Sequence, residues 1–280
     1  MANARRIASL PWYDLREIRA ATDRFWQRCA HHLRFAGVDG VPDALERELD
    51  CFEQWKRPDL VISQACGYDV RIAFADHLQL VATPCYSAPG CAGASYSSFV
   101  VVREDSRYRD LRGLRGSRCV INTPTSHSGM NILRSMVAPL HENGRFFASV
   151  RVSGAHTRSL EAITSGDADI AAIDCVTYEL LLRHRAHALA GTRILANTER
   201  VAAPPFVTCK GRSVEFVQLL RAALVATLRD PLVEDARHTM MLERIEALGP
   251  DAYQRIADLD ELAREIAFAD SGGGWVNHGT

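Results

Sequence analysis

Residues 119–137 read Cys119-Val-Ile121, then Asn122-Thr-Pro-Thr-Ser126-His-Ser-Gly-Met130, then Asn131-Ile-Leu-Arg-Ser-Met-Val137. The first three residues are an apolar run and the last seven keep a helical period. The stretch between them is dense in hydroxyls. This predicts a strand, a loop and a helix start. A helix start presents unpaired backbone N–H groups and a partial positive charge, so it draws anions. Ser126, His127 and Ser128 add side-chain donors at the same point, which makes a small oxyanion the expected ligand. A plainer reading stands beside it: Thr125, Ser126 or Ser128 is an N-cap and nothing more.

Outward from this loop, short β-like runs alternate with helical ones, the pattern of an α/β fold with parallel strands. Before the loop, strands are predicted at residues 6–10, 59–63, 78–83 and 99–103, with another at 118–122 feeding the loop itself. Asp14 is expected to cap a helix bearing Leu15, Ile18, Phe25, Cys29 and Leu33, and Pro42 to open one bearing Leu45, Leu49, Phe52 and Trp55. After the loop, a strand at 149–152 turns through Ser153-Gly154-Ala155-His156 into a helix ended by Gly166. A strand at 169–173 follows, and Asp174 starts the next helix. From residue 213 to about 267 the apolar spacing reads as almost entirely helical. The end from Ser271 onward reads as loose.

Two stretches resemble connectors: residues 86–98, rich in Gly, Ser and Pro, and 197–205, which ends in Pro204-Pro205. They bracket residues 99–196. The expected organisation is therefore one lobe from 1–95 plus 205–280, including the helical tail, and a second lobe from 99–196. No internal repeat or low-complexity tract is evident.

The chain has 280 residues, 47% hydrophobic and 24% charged, with a net charge of −1. That is ordinary for a soluble globular protein and gives no global reason to expect nucleic acid or membrane partners. No apolar run nears the roughly 20 residues that span a bilayer. The N-terminus is basic, but Pro11-Trp12-Tyr13-Asp14 interrupts it before any signal-like apolar core forms. As it stands the sequence reads as cytoplasmic, or as a periplasmic chain whose leader has been removed. The eight cysteines contain no Cys-x-x-Cys pair, so zinc-ribbon and thioredoxin chemistry are not expected. Cys29, Cys51 and Cys119 read as core residues. Cys85 and Cys91, six apart in a Pro/Gly loop, could pair in an oxidising compartment, and without a signal peptide thiols are favoured.

Taken in order, the motifs resemble the type 2 periplasmic binding protein fold, and within it the PhnD-like phosphate/phosphonate-binding component of ABC transporters. The matching pieces are Gly93-Ala-Ser-Tyr96-Ser-Ser98-Phe-Val-Val-Val102, Asp110-Leu-Arg-Gly113, Ser126-His-Ser-Gly129, Gly154-Ala-His156, Leu160-Glu-Ala-Ile-Thr-Ser-Gly166-Asp-Ala-Asp169 and Leu228-Arg-Asp-Pro231. The resemblance covers roughly residues 5–265. It implies two α/β lobes, each a mixed, mostly parallel sheet flanked by helices, closing over a ligand in the cleft between them. It also implies that Ser126, His127, Ser128 and the N–H of Gly129 hold phosphonate-like oxygens, that His156 reaches the anion from the next turn and Tyr96 from the crossover, and that a permease is the partner. It calls for no cofactor or metal. The pattern departs from the family at Val201-Ala-Ala-Pro-Pro-Phe206, where relatives that bind aminophosphonates carry a carboxylate. Asp174 is the nearest substitute.

Tyr68, Tyr96 and Tyr13 flank strand ends, where open α/β sheets bind ligands, although each alone reads more as packing than as contact, and Tyr96 is the best of the three. His127 lies between serines and reads as outward-pointing. His31 and His32 read as solvated. No nucleophile–base–acid set, His-Glu-x-x-His, P-loop or Gly-x-Gly-x-x-Gly is present. The alternative to a binding protein is an enzyme on the same fold, with pyrimidine-precursor or thiol-dependent chemistry at Cys66. A third reading is a cytoplasmic sensor.

Overall fold

The computed structural model describes residues 6–264. In chain order the first elements are β1 (Ile7–Ala8), α1 (Arg19–Phe35), α2 (Cys51–Trp55), β2 (Leu60–Gln64), β3 (Leu78–Tyr86), β4 (Ser95–Tyr96), β5 (Ser98–Arg103) and β6 (Arg118–Ile121). Then come α3 (Ile132–Val137), β7 (Ser149–Val152), α4 (His156–Ser165), β8 (Ile170–Asp174), α5 (Cys175–His184) and β9 (Thr192–Asn197). The chain continues through β10 (Val201–Ala202), β11 (Phe206–Cys209), α6 (Val214–Arg229), α7 (Glu234–Thr239), β12 (Leu242–Glu246) and α8 (Gln254–Leu262).

Two compact units result. The first takes in the described part of Met1–Ser97 with Cys175–Leu180 and Arg200–Ala257. The second takes in Ser98–Asp174, Leu181–Glu199 and the described part of Asp258–Thr280.

The sheet of the first unit runs β1-β2-β11-β3-β12. β1 and β2 are parallel, while β11 is antiparallel to both β2 and β3. α1 buries Thr22, Phe25, Trp26, Cys29, Ala30 and Leu33, a three-and-four spacing that presents one face to α6 and α7. Burying each of the larger side chains stabilises the unit by roughly 1.5–3 kcal/mol. A second cluster joins Trp55, Leu60, Leu78 and Val207, with Trp12, Phe52 and Phe74 packed against it.

The sheet of the second unit runs β7-β6-β8-β5-β9. β6 is parallel to β7 and β8, and β5 is antiparallel to β8 and β9. In both sheets the reversed strand, β5 or β11, closely follows a crossover hairpin strand, β4 or β10, and those two strands pair with each other.

Three local expectations are corrected. Asp14 does not cap a helix: the turn before α1 is capped at Leu15 without a side-chain bond, and Asp14 instead accepts from Thr22 (2.9 Å) and Arg47 (2.7 and 3.0 Å). Pro42 opens no helix. Residues 42–50 stay irregular, and the helix begins at Cys51, where Asp50 caps it by accepting from the Phe52 N–H. The tail is not all helix. Met241 takes a left-handed φ of 54°, and Leu242 and Ile245 enter β12 beside β3. Asp174 closes β8 and immediately precedes α5, the place at that helix start where it was expected. Gly166 does terminate α4, with φ 81° and its N–H on Ile163 O. The expected loose end from Ser271 lies outside the described residues.

Candidate functional site

β6 is buried between β7 and β8, with Cys119, Val120 and Ile121 almost fully enclosed. Where it ends, the neighbouring turn is stitched to it. Ser153 N–H donates to Ile121 O and Gly154 N–H to Asn122 O, both at 2.8 Å. Gly154 has φ +89°, a backbone state that costs an L side chain strain. This seam sets His156, first residue of α4, against the hydroxyl loop.

The loop opens into a wide turn over His127–Asn131 in which Asn131 N–H reaches back to Ser126 O at 2.9 Å. Ser126 is the cap: its Oγ accepts from Gly129 N–H at 3.0 Å. The plain capping reading of the loop therefore holds for Ser126. The hydroxyls also form a chain, with Ser126 Oγ 3.4 Å from Ser128 Oγ and Ser128 Oγ 3.0 Å from His156 Nε2. Gly129 sits at the centre of this packing. A Cβ there would lie 2.0 Å from Asn122 Oδ1, 2.8 Å from its Cγ and 3.2 Å from His156 Cε1.

His127 does not point outward. It is 2% exposed, and its Nδ1 takes a hydrogen bond from the Asn131 amide at 3.1 Å. That places the ring proton of neutral His127 on Nε2. Burial pushes the His127 pKa down to about 3. His156 is partly exposed as a residue, yet its Nδ1 is shielded from solvent. Burial pushes its pKa down to about 4, offset in part by the Ala172 backbone. Both imidazoles are neutral at pH 7.

Two proton arrangements fit the chain. With the His156 proton on Nδ1, Ser128 donates to Nε2 and its hydrogen is spent inside the cluster. With the proton on Nε2, His156 donates to Ser128 Oγ, and the hydroxyl hydrogens of Ser128 and Ser126 turn outward. The second arrangement offers neutral O–H donors to an oxyanion without a formal countercharge.

The other sequence-named residues fall elsewhere. Asp174 is 1% exposed and faces Ser98 across the β5–β8 pairing. Tyr96, Tyr68 and Tyr13 belong to the first unit. Tyr96 is 1% exposed and pairs in register with Val201. Tyr68 is half-buried just before a wide turn over Asp69–Ala73. Tyr13 packs edge-on to Tyr86, ring centres 5.1 Å apart. Cys66 is buried. His31 is exposed as expected, but His32 is half-buried with Nε2 3.4 Å from Asp230.

Sequence reasoning missed Asn122, whose Oδ1 is buried without a hydrogen-bond partner against Gly129 and His156. Its place directly after a strand end was the available signal. Among the described residues, no group of three or more His, Cys, Asp or Glu could hold a metal ion, and no helix is long and apolar enough to cross a membrane.

Residues 57–253, well over half the chain, match the family described as ABC transporter, phosphonate, periplasmic substrate-binding protein. The chain belongs to that family. None of the curated proteins compared with it matches. Several solved structures share the fold. One is a binding protein component of an ABC phosphonate transporter from Pseudomonas aeruginosa, with TM-score 0.73 and 13% identity, covering 92% of this chain and 86% of that one. PhnD1 from Prochlorococcus marinus, in complex with methylphosphonate, has TM-score 0.73 and 13% identity over 93% of this chain and 98% of its own. A Xanthomonas citri protein bound to ATP has TM-score 0.68 and 14% identity over 93% and 98%. These likenesses establish the two-lobed α/β fold of periplasmic binding proteins for the family member described here.

Proposed function

We propose that this chain is the solute-binding component of an ABC transporter and captures a small phosphonate-, phosphite- or phosphate-like oxyanion at the Ser126–Gly129 turn. The observation that carries the reading is the hydrogen-bonded chain Ser126–Ser128–His156, built from neutral groups around a glycine that no larger residue could replace without displacing it. The Ser126 and Ser128 hydroxyls hold the oxygens, and His156, donating from Nε2 to Ser128 Oγ, turns the Ser128 hydrogen toward them. His127 and Asn131 buttress the turn from inside, and Asn122 fixes the back of the cluster. The anion selects the His156 tautomer protonated on Nε2, which frees two hydroxyl hydrogens.

The finer reading is a ligand without a cationic substituent. In the family resemblance the Val201–Phe206 crossover is where a carboxylate receives an amine, and here it is Val-Ala-Ala-Pro-Pro-Phe, buried throughout. The protein works in the periplasm with a permease and returns its ligand chemically unchanged. The test is a thermal-shift panel of methylphosphonate, phosphite, phosphate, aminoethylphosphonate and sulfate. A ligand at 100 times its Kd adds about 2.7 kcal/mol, several degrees in Tm. The expected result is a shift with methylphosphonate, phosphite or phosphate, and little with sulfate or the amine. A flat response to every phosphorus oxyanion would overturn the assignment.

A further inference from the structure

The sequence singled out Cys85 and Cys91 as neighbours that could pair. The structure places Cys91 beside a different cysteine. Cys91 Sγ is 3.5 Å from Cys175 Sγ, although the two are 84 positions apart in sequence. Cys175 is fully buried at the start of α5, and Cys91 is half-buried. Cys85 instead donates to Glu246 Oε1 at 3.4 Å. Burial and that carboxylate push the Cys85 thiol up to about 12, which makes it a poor nucleophile.

The approach is held from several sides. Ser97 donates from Oγ to Gly90 O at 3.1 Å and accepts Cys175 N–H on its own carbonyl at 3.1 Å. Arg200 Nε also donates to Gly90 O, at 3.2 Å. Cys91 N–H donates to Ala88 O at 3.0 Å. Gly90, at φ +96°, lets the loop come close: a Cβ there would stand 2.9 Å from Cys175 Cβ and 3.1 Å from its sulfur. A disulfide needs its sulfurs about 2.05 Å apart, a further approach small enough for side-chain rotation and a slight loop shift.

We propose that Cys91 and Cys175 are a disulfide-forming pair, oxidised by thiol–disulfide exchange with a low-molecular-weight or protein disulfide. The more exposed Cys91 thiolate attacks one sulfur of the external disulfide, forming a mixed disulfide and expelling one thiolate. Cys175 thiolate then attacks Cys91 Sγ, closing the internal bond and expelling the second. The two protons lost by the protein end on the two departing thiols, and the external disulfide is the species reduced. The closed loop contains all of Ser98–Asp174, and it ties together, within the first unit, the segments flanking the chain passages at Ser97–Ser98 and Asp174–Cys175. Constraining so long a loop raises stability through the unfolded chain.

The test takes the full chain, reduces it with dithiothreitol, removes the reductant and adds oxidised glutathione. Denaturing thiol titration is expected to fall from eight to six, the mass to drop by that of two hydrogens, and peptide mapping to link Cys91 to Cys175. The Tm should rise by several degrees and return on reduction. Cys91→Ser should keep its remaining seven thiols and show no rise. Eight persistent thiols, a stable glutathione adduct, an intermolecular bond or a different pair would each overturn the proposal. None of these readouts depends on anion binding.

Discussion

Each unit places a wide turn after a buried strand, and the two turns are filled differently. In the first unit β2 leads through Ala65-Cys66-Gly67-Tyr68 into the turn at Asp69–Ala73, where Phe74 N–H reaches Asp69 O at 2.6 Å. Gly67 is there so that Tyr253 and Ile256 can lie on the backbone: a Cβ would meet Ile256 Cδ1 at 2.4 Å and Tyr253 Cδ1 at 2.9 Å. In the second unit β6 leads to the turn at His127–Asn131, and the neighbours crowding Gly129 are Asn122 and His156. The same backbone device is closed by apolar packing in one case and by a polar cluster in the other. Glycine in both marks close approach, and the chemistry of what approaches separates a packed joint from the proposed binding surface.

Acid should separate the two turns most strongly, because both depressed histidines belong to the second. An unfolded histidine, pKa near 6.5, takes a proton as pH falls below that value. The folded His156 ring resists until about 4 and the His127 ring until about 3. Between those limits the unfolded chain holds more protons, so folding stability is fully present above pH 6.5 and falls as pH drops. The loss is on the order of 3 kcal/mol for His156 alone. Urea titrations from pH 7 to 4 should show it, and His156→Gln should flatten the slope. An unchanged slope in that variant would place the acid sensitivity elsewhere.

The glycines give the next contrast. Gly67→Ala overpacks an apolar joint and should cost about 1–3 kcal/mol of stability, read from urea midpoints. Gly129→Ala displaces Asn122 and His156, and its main loss should appear as methylphosphonate affinity weakened at least tenfold by calorimetry. Equal affinity in Gly129→Ala and wild type would remove the polar cluster from the binding account. Smallest is Tyr253→Phe. Its hydroxyl bridges Thr83 Oγ1 at 2.6 Å and Ala203 O at 3.1 Å, so losing it should cost about 1–2 kcal/mol in thermal unfolding. A neutral result would mean the joint is held by ring packing alone.

The strands at 118–122 and 149–152, the cap at Ser126, the Gly154–His156 turn and the Gly166 stop were legible because each rests on local chemistry: apolar runs, hydroxyl caps and left-handed glycines. The orientation of His127 was not. Side-chain direction follows from a 3.6-residue period, and the turn widens to a five-residue step at that point. The tail misled for a related reason. Leu242, Ile245 and Leu248 fit a helical stripe, but Met241 takes a left-handed φ and the following residues pair with β3. Residues 42–50 misled through Pro42 and the leucine spacing, whereas Glu46 N–H is taken by Ala8 O at 2.7 Å and the Glu46 side chain binds the Glu48 and Leu49 N–H groups. Contacts between residues far apart in sequence, such as Ser128 with His156 and Cys91 with Cys175, carry no local pattern. The family resemblance supplied the first of these and not the second.

The most direct measurement is a calorimetric titration of methylphosphonate into wild type and the Ser126→Ala/Ser128→Ala variant at pH 7.5. Each lost hydrogen bond to the anion is worth about 1.5–3 kcal/mol, so the account predicts a Kd raised at least about 100-fold with folding retained. An unchanged Kd in the double variant would contradict it.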